Sequence, residues 1–142
     1  MKPPVIRSVT TLLEVFDVPS SLAFYRALGC EVVQHWGEGK HESDWDWVYL
    51  KLGDAGLMLN TAYERDERPA TPDSARAKGH TDTELYFECD DLDSVCEYLR
   101  SNGIYTPRPE TTFYGTRRIC LTDPDGFLVW FQATVNTTLL QS

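Results

Sequence analysis

The stretch DVPSSLAFYRALG, residues 17–29, contains the signals that begin and end one short helix. Asp17 is a good N-cap, and Pro19 suits the first helical turn, where its missing backbone N–H costs nothing. Gly29 is the residue type that most often follows the last turn of a helix. The preceding residues SVTTLLEVFDV, 8–18, are typical of a strand that runs into this helix.

The same signals return 74 residues later in DLDSVCEYLRSNG, residues 91–103. This offset places Asp17 on Asp91 and Gly29 on Gly103. It also aligns three apolar positions of the two helices, which are Val18, Leu22 and Tyr25 in the first and Leu92, Cys96 and Leu99 in the second. Because the cap, the apolar stripe and the terminator all coincide, the sequence predicts an internal repeat.

Strands flank both predicted helices in the same order. After the first helix, strands are predicted at 31–37, 45–52 and 56–61, with the turn GDAG between the last two. In the second half, TELYFEC precedes the helix, strands near 104–107, 116–122 and 127–132 follow it, and DPDG is the last turn. The chain therefore reads as one domain with a first module at 6–62, an exposed linker at 63–82, a second module at 83–132 and a tail at 133–142.

The strand WDWVYLKL, residues 45–52, has two faces of different character. Alternation puts Val48, Leu50 and Leu52 on one face, which is a core face. It puts Trp45, Trp47 and Tyr49 on the other, where a two-layer sheet would normally meet water. These aromatic residues either line a binding cleft or fill it as additional core.

Composition excludes some classes of partner. The formal net charge of −9 disfavours nucleic acid and anionic membrane surfaces. No apolar run is long enough to cross a bilayer, and no signal-peptide core follows the basic residue of MKPPVIRSVT, so we expect a cytoplasmic protein. The four cysteines form no CxxC pair and are expected to be reduced, buried and inert.

Three segments resemble the vicinal oxygen chelate superfamily, which contains glyoxalase I, extradiol dioxygenases, fosfomycin-resistance enzymes and bleomycin-resistance proteins. EVFDVPSSLAFYRALGCEVV is similar to the first strand and helix of the family, and YFECDDLDSVCEYLRSNGI to those of its second module. YGTRRICLTDPDGFLVWF is similar to the closing hairpin. The resemblance covers residues 6–132 and implies an α+β fold of two tandem βαβββ modules, whose curved mixed sheets surround a concave cleft.

The resemblance also implies where a ligand would bind. Each helix would cover the convex side of its sheet, and Trp45, Trp47 and Tyr49 would face the cleft. Many members are dimers, so a homodimer is implied here. The candidate ligand-binding residues are Trp45, Trp47, Tyr49, Met58, Glu84, Tyr114, Arg118 and Trp130.

Enzymes of the superfamily hold a divalent metal through His, Glu or Tyr on the inward faces of the strands. The corresponding positions here fall on Thr10, on Met58 or Asn60, on Glu84 and on Trp130. One carboxylate cannot offset the hydration that a metal ion loses, so no metal and no other cofactor is predicted. His80, four residues before Glu84, leaves a displaced ligand set as the alternative.

The segment YGTRR, residues 114–118, brings an arginine to the inner face because Arg117 and Arg118 point to opposite sides of a strand. That arginine either meets Glu84 or an anionic group of the ligand, or pairs with a carboxylate on a neighbouring strand and only orders the sheet. The sequence favours the second interpretation.

An aromatic cleft with a carboxylate at its edge suits a flat or cationic small molecule. The sequence therefore predicts a metal-independent binding protein of the bleomycin-resistance type, which sequesters an antibiotic-like ligand and catalyses no reaction. The alternative is a metal-dependent lyase or dioxygenase that uses His80 and Glu84.

Overall fold

The computed structural model describes residues 1–135. Its three α-helices are α1 (Val18–Leu28), α2 (Ser74–Gly79) and α3 (Leu92–Ser101). Its eight strands are β1 (Thr11–Val15), β2 (Glu31–Gly37), β3 (Trp45–Leu52), β4 (Ala55–Thr61), β5 (Glu84–Glu88), β6 (Glu110–Thr111), β7 (Thr116–Thr122) and β8 (Leu128–Thr134).

The strands form two four-stranded mixed sheets of the same topology. The orders are β1-β4-β3-β2 and β5-β8-β7-β6, with the first strand of each sheet parallel to its neighbour and the other pairs antiparallel. Neither sheet closes on itself. This confirms the predicted α+β class and agrees with two tandem βαβββ modules.

The helix caps of the two halves match in atomic detail. Asp17 accepts hydrogen bonds from the Ser20 backbone N–H at 3.1 Å and from its hydroxyl at 2.6 Å. Asp91 accepts the same two bonds from Ser94, at 3.2 Å and 2.6 Å. Gly29 follows α1 in the left-handed conformation with φ 111°. The internal repeat predicted from the sequence is therefore present in the local geometry.

One strand prediction for the second half is wrong. No strand lies at 104–107; the short strand β6 lies at Glu110–Thr111 instead, after Pro107 and Pro109, which cannot donate to a ladder. Within the predicted linker at 63–82, α2 forms and is capped by Asp73, and none of its residues is buried. Of the predicted tail, residues 133–134 belong to β8 and residues 136–142 lie outside the described residues.

Each sheet has one buried face, which is turned toward the helices. On β3, Val48 and Leu50 are 0% exposed, as predicted. The side chains on the opposite face, which we call the open face, are half-buried or exposed in both sheets. Residues of both halves contribute to one core, and α1 contacts α3 as well as β3 and β4. The helices therefore leave the open faces uncovered.

The DPDG turn between β7 and β8 fastens the second half onto the first. Asp125 is 5% exposed, and its carboxylate accepts the Phe16 backbone N–H at 2.7 Å and the Ser21 hydroxyl at 3.1 Å. Arg76 of α2 reaches the same carboxylate at 3.3 Å. A helix of the linker and a turn of the second half thus share one buried acceptor at the end of β1.

Asp123 of the same turn is equally buried. It accepts the Tyr25 hydroxyl at 2.7 Å and the backbone N–H groups of Asp125 and Phe127 at 2.8 Å and 2.9 Å. Burial raises the pKa of the Asp123 carboxyl above its usual value, while these hydrogen bonds oppose the rise. The same burial, with the adjacent Asp123 charge, raises the pKa of the Tyr25 phenol.

No helix of residues 1–135 is long and apolar enough to cross a membrane.

Candidate functional site

The open face of the first sheet carries three of the predicted ligand-binding residues. Tyr49 on β3 pairs with Met58 on β4, and Trp47 pairs with Asn60 on β4 and with Trp36 on β2. Directly paired residues point to the same side of a sheet. Trp47, Tyr49 and Met58 therefore form one half-buried aromatic surface, and Trp36 extends it to the exposed edge of the sheet.

Trp45 does not belong to this surface, and the prediction that it faces the cleft is wrong. Trp36 pairs with Trp47 but Gly37 pairs with Trp45, so Asp46 is an extra residue that reverses the alternation. The Trp45 ring stacks on His35, with centroids 3.9 Å apart and planes 14° apart, and it packs against the buried core.

The open face of the second sheet brings Glu84 and Trp130 into contact. The indole Nε1–H of Trp130 donates to Oε1 of Glu84 at 3.1 Å. Tyr86 pairs with Trp130 across β5 and β8, and their rings stack with centroids 5.5 Å apart and planes 3° apart. Burial, followed by the Glu84 charge, raises the pKa of the Tyr86 phenol. Sequence reasoning missed Tyr86, although it lies two residues after Glu84 on the same strand face.

Arg118 lies on the same open face and contacts Trp130, which in turn contacts Glu84 and Tyr86. Its Nε donates to Glu110 at 2.7 Å, its Nη1 donates to the Tyr114 hydroxyl at 3.2 Å, and its Cζ lies 4.3 Å from the Trp130 ring centroid. The bond to Glu110 raises the pKa of the guanidinium. Arg118 thus pairs with a carboxylate of the neighbouring strand β6, as the sequence favoured, and Arg117 points the other way to Asp93.

The two sheets meet where β5 passes the beginning of β1 and β4. A cavity of about 250 Å³ lies there, lined by Thr11, residues 55–57 and residues 84–87. Tyr49 reaches over Gly56 toward this cavity, because a Cβ at Gly56 would lie 3.0 Å from the Tyr49 hydroxyl. A side chain at position 56 would therefore press against the ring of Tyr49.

A larger cavity lies beside this junction, and nothing in the sequence indicated it. It has a volume of about 840 Å³, within the range of small-molecule sites. It is lined by the end of α1, the β3–β4 turn, β5 and one side of α3, namely Leu28, Gly29, residues 52–55, residues 86–89, Ser94, Val95, Tyr98 and Phe131. Such a space forms only when the two halves pack together.

The family model of the Glyoxalase/Bleomycin resistance protein/Dioxygenase superfamily matches residues 7–131. The chain belongs to this superfamily. No curated protein sequence matches it closely.

Solved structures of similar fold include binding proteins and a lyase of the superfamily. A bleomycin-binding protein complexed with bleomycin has 22% identity and a TM-score of 0.61, over 92% of this chain and 99% of that one. An antibiotic-binding protein from Streptomyces sp. CB03234 has 19% identity and a TM-score of 0.64, over 94% and 99%. A lactoylglutathione lyase from Agrobacterium tumefaciens has 22% identity and a TM-score of 0.61, over 93% and 96%. At these identities the likeness shows the fold alone.

Among the described residues 1–135, the positions that the resemblance assigns to metal ligands offer few donors to a divalent metal. Glu84 is the one carboxylate among the positions corresponding to ligands, and one of its oxygens accepts the Trp130 indole N–H. Nδ1 of His80 lies 2.7 Å from the Asp125 carbonyl oxygen, and its ring stacks on Phe127. Within residues 1–135, no group of three or more His, Cys, Asp or Glu is placed to hold a metal ion.

Proposed function

We propose that this protein binds a planar aromatic or cationic small molecule on its open faces and sequesters it without a metal, as an antibiotic-resistance protein would. The observation that carries the proposal is the group on the second sheet, where Trp130 stacks on Tyr86 and donates to Glu84. Aromatic stacking adds about 0.5–1.5 kcal/mol per pair beyond burial. A desolvated cation over a ring adds about 2 kcal/mol.

The charge on the second open face supports a cationic ligand. Glu84 accepts from a neutral indole and Glu88 accepts from the neutral amide of Gln132, so neither hydrogen-bond partner brings a positive charge. Arg118 pairs with Glu110 and not with Glu84. A cation that enters beside Glu84 therefore meets an uncompensated carboxylate.

We further propose a homodimer, in the cytoplasm, in which the ligand contacts the open faces of both sheets. Large apolar side chains are exposed in the leading residues and beside the second sheet, with Val5 89%, Ile6 78%, Val9 87% and Phe113 96% exposed. Exposed apolar groups of this size often mark an interface. A second copy that covers them would also enclose the open faces.

The alternative hypothesis is that the protein is a lyase or a dioxygenase, and this activity requires a metal centre. The donor set around Glu84 does not supply one, as described above. Metal analysis of protein purified without a histidine tag separates the two readings. A stoichiometric divalent metal would contradict the proposal.

The proposal is tested by titrating chelator-treated protein with metal-free bleomycin and a panel of cationic aromatic compounds, followed by tryptophan fluorescence. We expect saturable quenching at micromolar ligand, and affinity at least tenfold weaker in Trp130→Ala. Trp45→Ala is the matched control, because Trp45 faces the core side, and its affinity should equal that of the wild type. Equal binding by Trp130→Ala and the wild type would overturn the proposal.

A further inference from the structure

Both faces of the Trp130 ring are covered by side chains of the protein itself. β8 lies between β5 and β7 in the second sheet. Tyr86 stacks on the ring from the β5 side at 5.5 Å, and the Arg118 guanidinium lies over it from the β7 side at 4.3 Å. A ligand ring or cation can therefore reach a face of Trp130 only by displacing one of these two groups.

Arg118 is held in this position by further bonds. Glu110 accepts from its Nε at 2.7 Å, and the Tyr114 hydroxyl accepts from its Nη1 at 3.2 Å. A planar guanidinium fixed at two of its nitrogens keeps one orientation over the ring. The position that a ligand cation would take above Trp130 is therefore already occupied by a positive charge.

Tyr86 at the other end of the stack has a free ring face. β5 is an edge strand, so no strand of the second sheet lies beyond Tyr86; the residue is 45% exposed and lines the cavity of about 250 Å³ between the sheets. Glu84 and Glu88 stand on either side of it on the same strand face. This face combines an open ring with two carboxylates.

We propose that Arg118 is a specificity residue, which excludes ligand cations from Trp130 and directs them to the free face of Tyr86 between Glu84 and Glu88. This inference rests on the proposed function and names the ligand class more closely. The ligand is a planar aromatic molecule with a positive charge on or beside the ring. Arg118 occupies the ring face of Trp130 that is turned away from Tyr86, and the two carboxylates attract the positive charge of the ligand.

The experiment compares two probes of the same ring system, N-methylacridinium, which is a permanent cation, and acridine, which is uncharged at mildly alkaline pH. Their affinities are measured by fluorescence titration for wild type, Arg118→Gln and Arg117→Gln. Arg117 is the matched control, because it is adjacent in sequence, points to the other face and pairs with Asp93. Circular dichroism confirms that each variant is folded.

We expect Arg118→Gln to bind the cation at least fivefold more tightly, because the face of Trp130 becomes available, while its affinity for neutral acridine changes less than twofold. Arg117→Gln should change neither affinity. Tyr86→Ala should weaken binding of the cation to the otherwise wild-type protein at least fivefold. A role of Arg118 in sheet stability alone would not change the ratio of the two affinities.

The experiment distinguishes failure of the role proposed for Arg118 from failure of the proposed function. If the probes bind the wild type and Arg118→Gln leaves the affinity ratio unchanged or lowers it, the inference is overturned and the proposed function stands. If neither probe binds the wild type or Arg118→Gln, the proposed function and this inference are both overturned.

Discussion

Trp130 shows how one residue sets the character of the site. The resemblance to the superfamily places it where the enzymes have a metal-binding carboxylate, and its indole N–H donates to the nearby Glu84. Because indole has no lone pair to offer a metal, the substitution removes a ligand and adds an aromatic surface. Trp130 therefore contributes an aromatic surface and no metal ligand at this position.

In the DPDG turn, the single residue Asp125 is predicted to contribute strongly to the stability of the fold. Asp125→Ala removes the buried acceptor of the Phe16 N–H, the Ser21 hydroxyl and Arg76. Buried donors without partners cost about 1–3 kcal/mol each, so we expect the free energy of unfolding to fall by about 2–4 kcal/mol. Urea denaturation measures the change.

The control for this prediction is Asp90→Ala, which removes an exposed aspartate and should change the free energy of unfolding by less than about 0.5 kcal/mol. Equal stability of the Asp125 and Asp90 variants would contradict the role assigned to the turn.

At the scale of elements, the bulge in β3 separates two tryptophans that lie two residues apart. Trp45→Ala should lower the free energy of unfolding by about 2 kcal/mol, because this ring packs against the core. Trp47→Ala should lower ligand affinity at least fivefold with a smaller effect on stability, because Trp47 lies on the open face. Thermal unfolding and fluorescence titration of both variants test this, and the reverse pattern would contradict the assignment of faces.

The capped helices give a pH-dependent prediction. Hydrogen bonds from Ser94 lower the pKa of Asp91 below its usual value of 3.8. A carboxyl whose pKa is lower in the folded state than in the unfolded state stabilises the folded protein at pH values above its unfolded-state pKa. This stabilisation is lost as the pH falls through the folded-state pKa. The stability of wild type relative to Asp91→Asn should therefore decrease as the pH falls below about 4, measured by urea denaturation across that range. A relative stability that rises on acidification would contradict the cap assignment.

Sequence reasoning succeeded for elements whose signals are local. Asp17, Gly29 and Asp91 predicted both helices and their repeat, because caps and terminators act within one turn. It failed for Trp45, because a bulge depends on how β2 and β3 pair, which alternation cannot show. It also missed α2, whose six residues carry no apolar stripe.

For the whole molecule, the superfamily was predictable and the cavities were not. The repeat and the DPDG turn predicted two modules, but the cavity of about 840 Å³ depends on how the modules pack. The partner of Arg118 likewise required the register of β6 and β7, which pairs Glu110 with Arg118. The cavity and the Glu110–Arg118 pair depend on contacts between distant segments, so they could not be predicted from the sequence.

The proposed dimer is tested at this scale by light scattering. We expect the wild type to have twice the chain mass of 16.2 kDa at micromolar concentration. Replacement of the exposed Val5, Ile6 and Val9 by Ser should raise the dimer dissociation constant at least tenfold, with little effect on the stability of the fold. A wild type that remains monomeric would contradict the proposed assembly.

The most direct test of the central claim is the location of the bound ligand. The ¹⁵N-labelled protein has four tryptophan indole signals, each assigned by one Trp→Phe variant. On titration with N-methylacridinium, we predict that the Trp130 indole signal shifts most, because its N–H donates to Glu84, the carboxylate that the cation approaches, and that the Trp45 signal does not move. Backbone shifts confined to Leu28, Ser94 and Val95, which line the cavity of about 840 Å³ on α1 and α3, with static Trp130 and Glu84 signals, would place the ligand there and contradict a site on the open face.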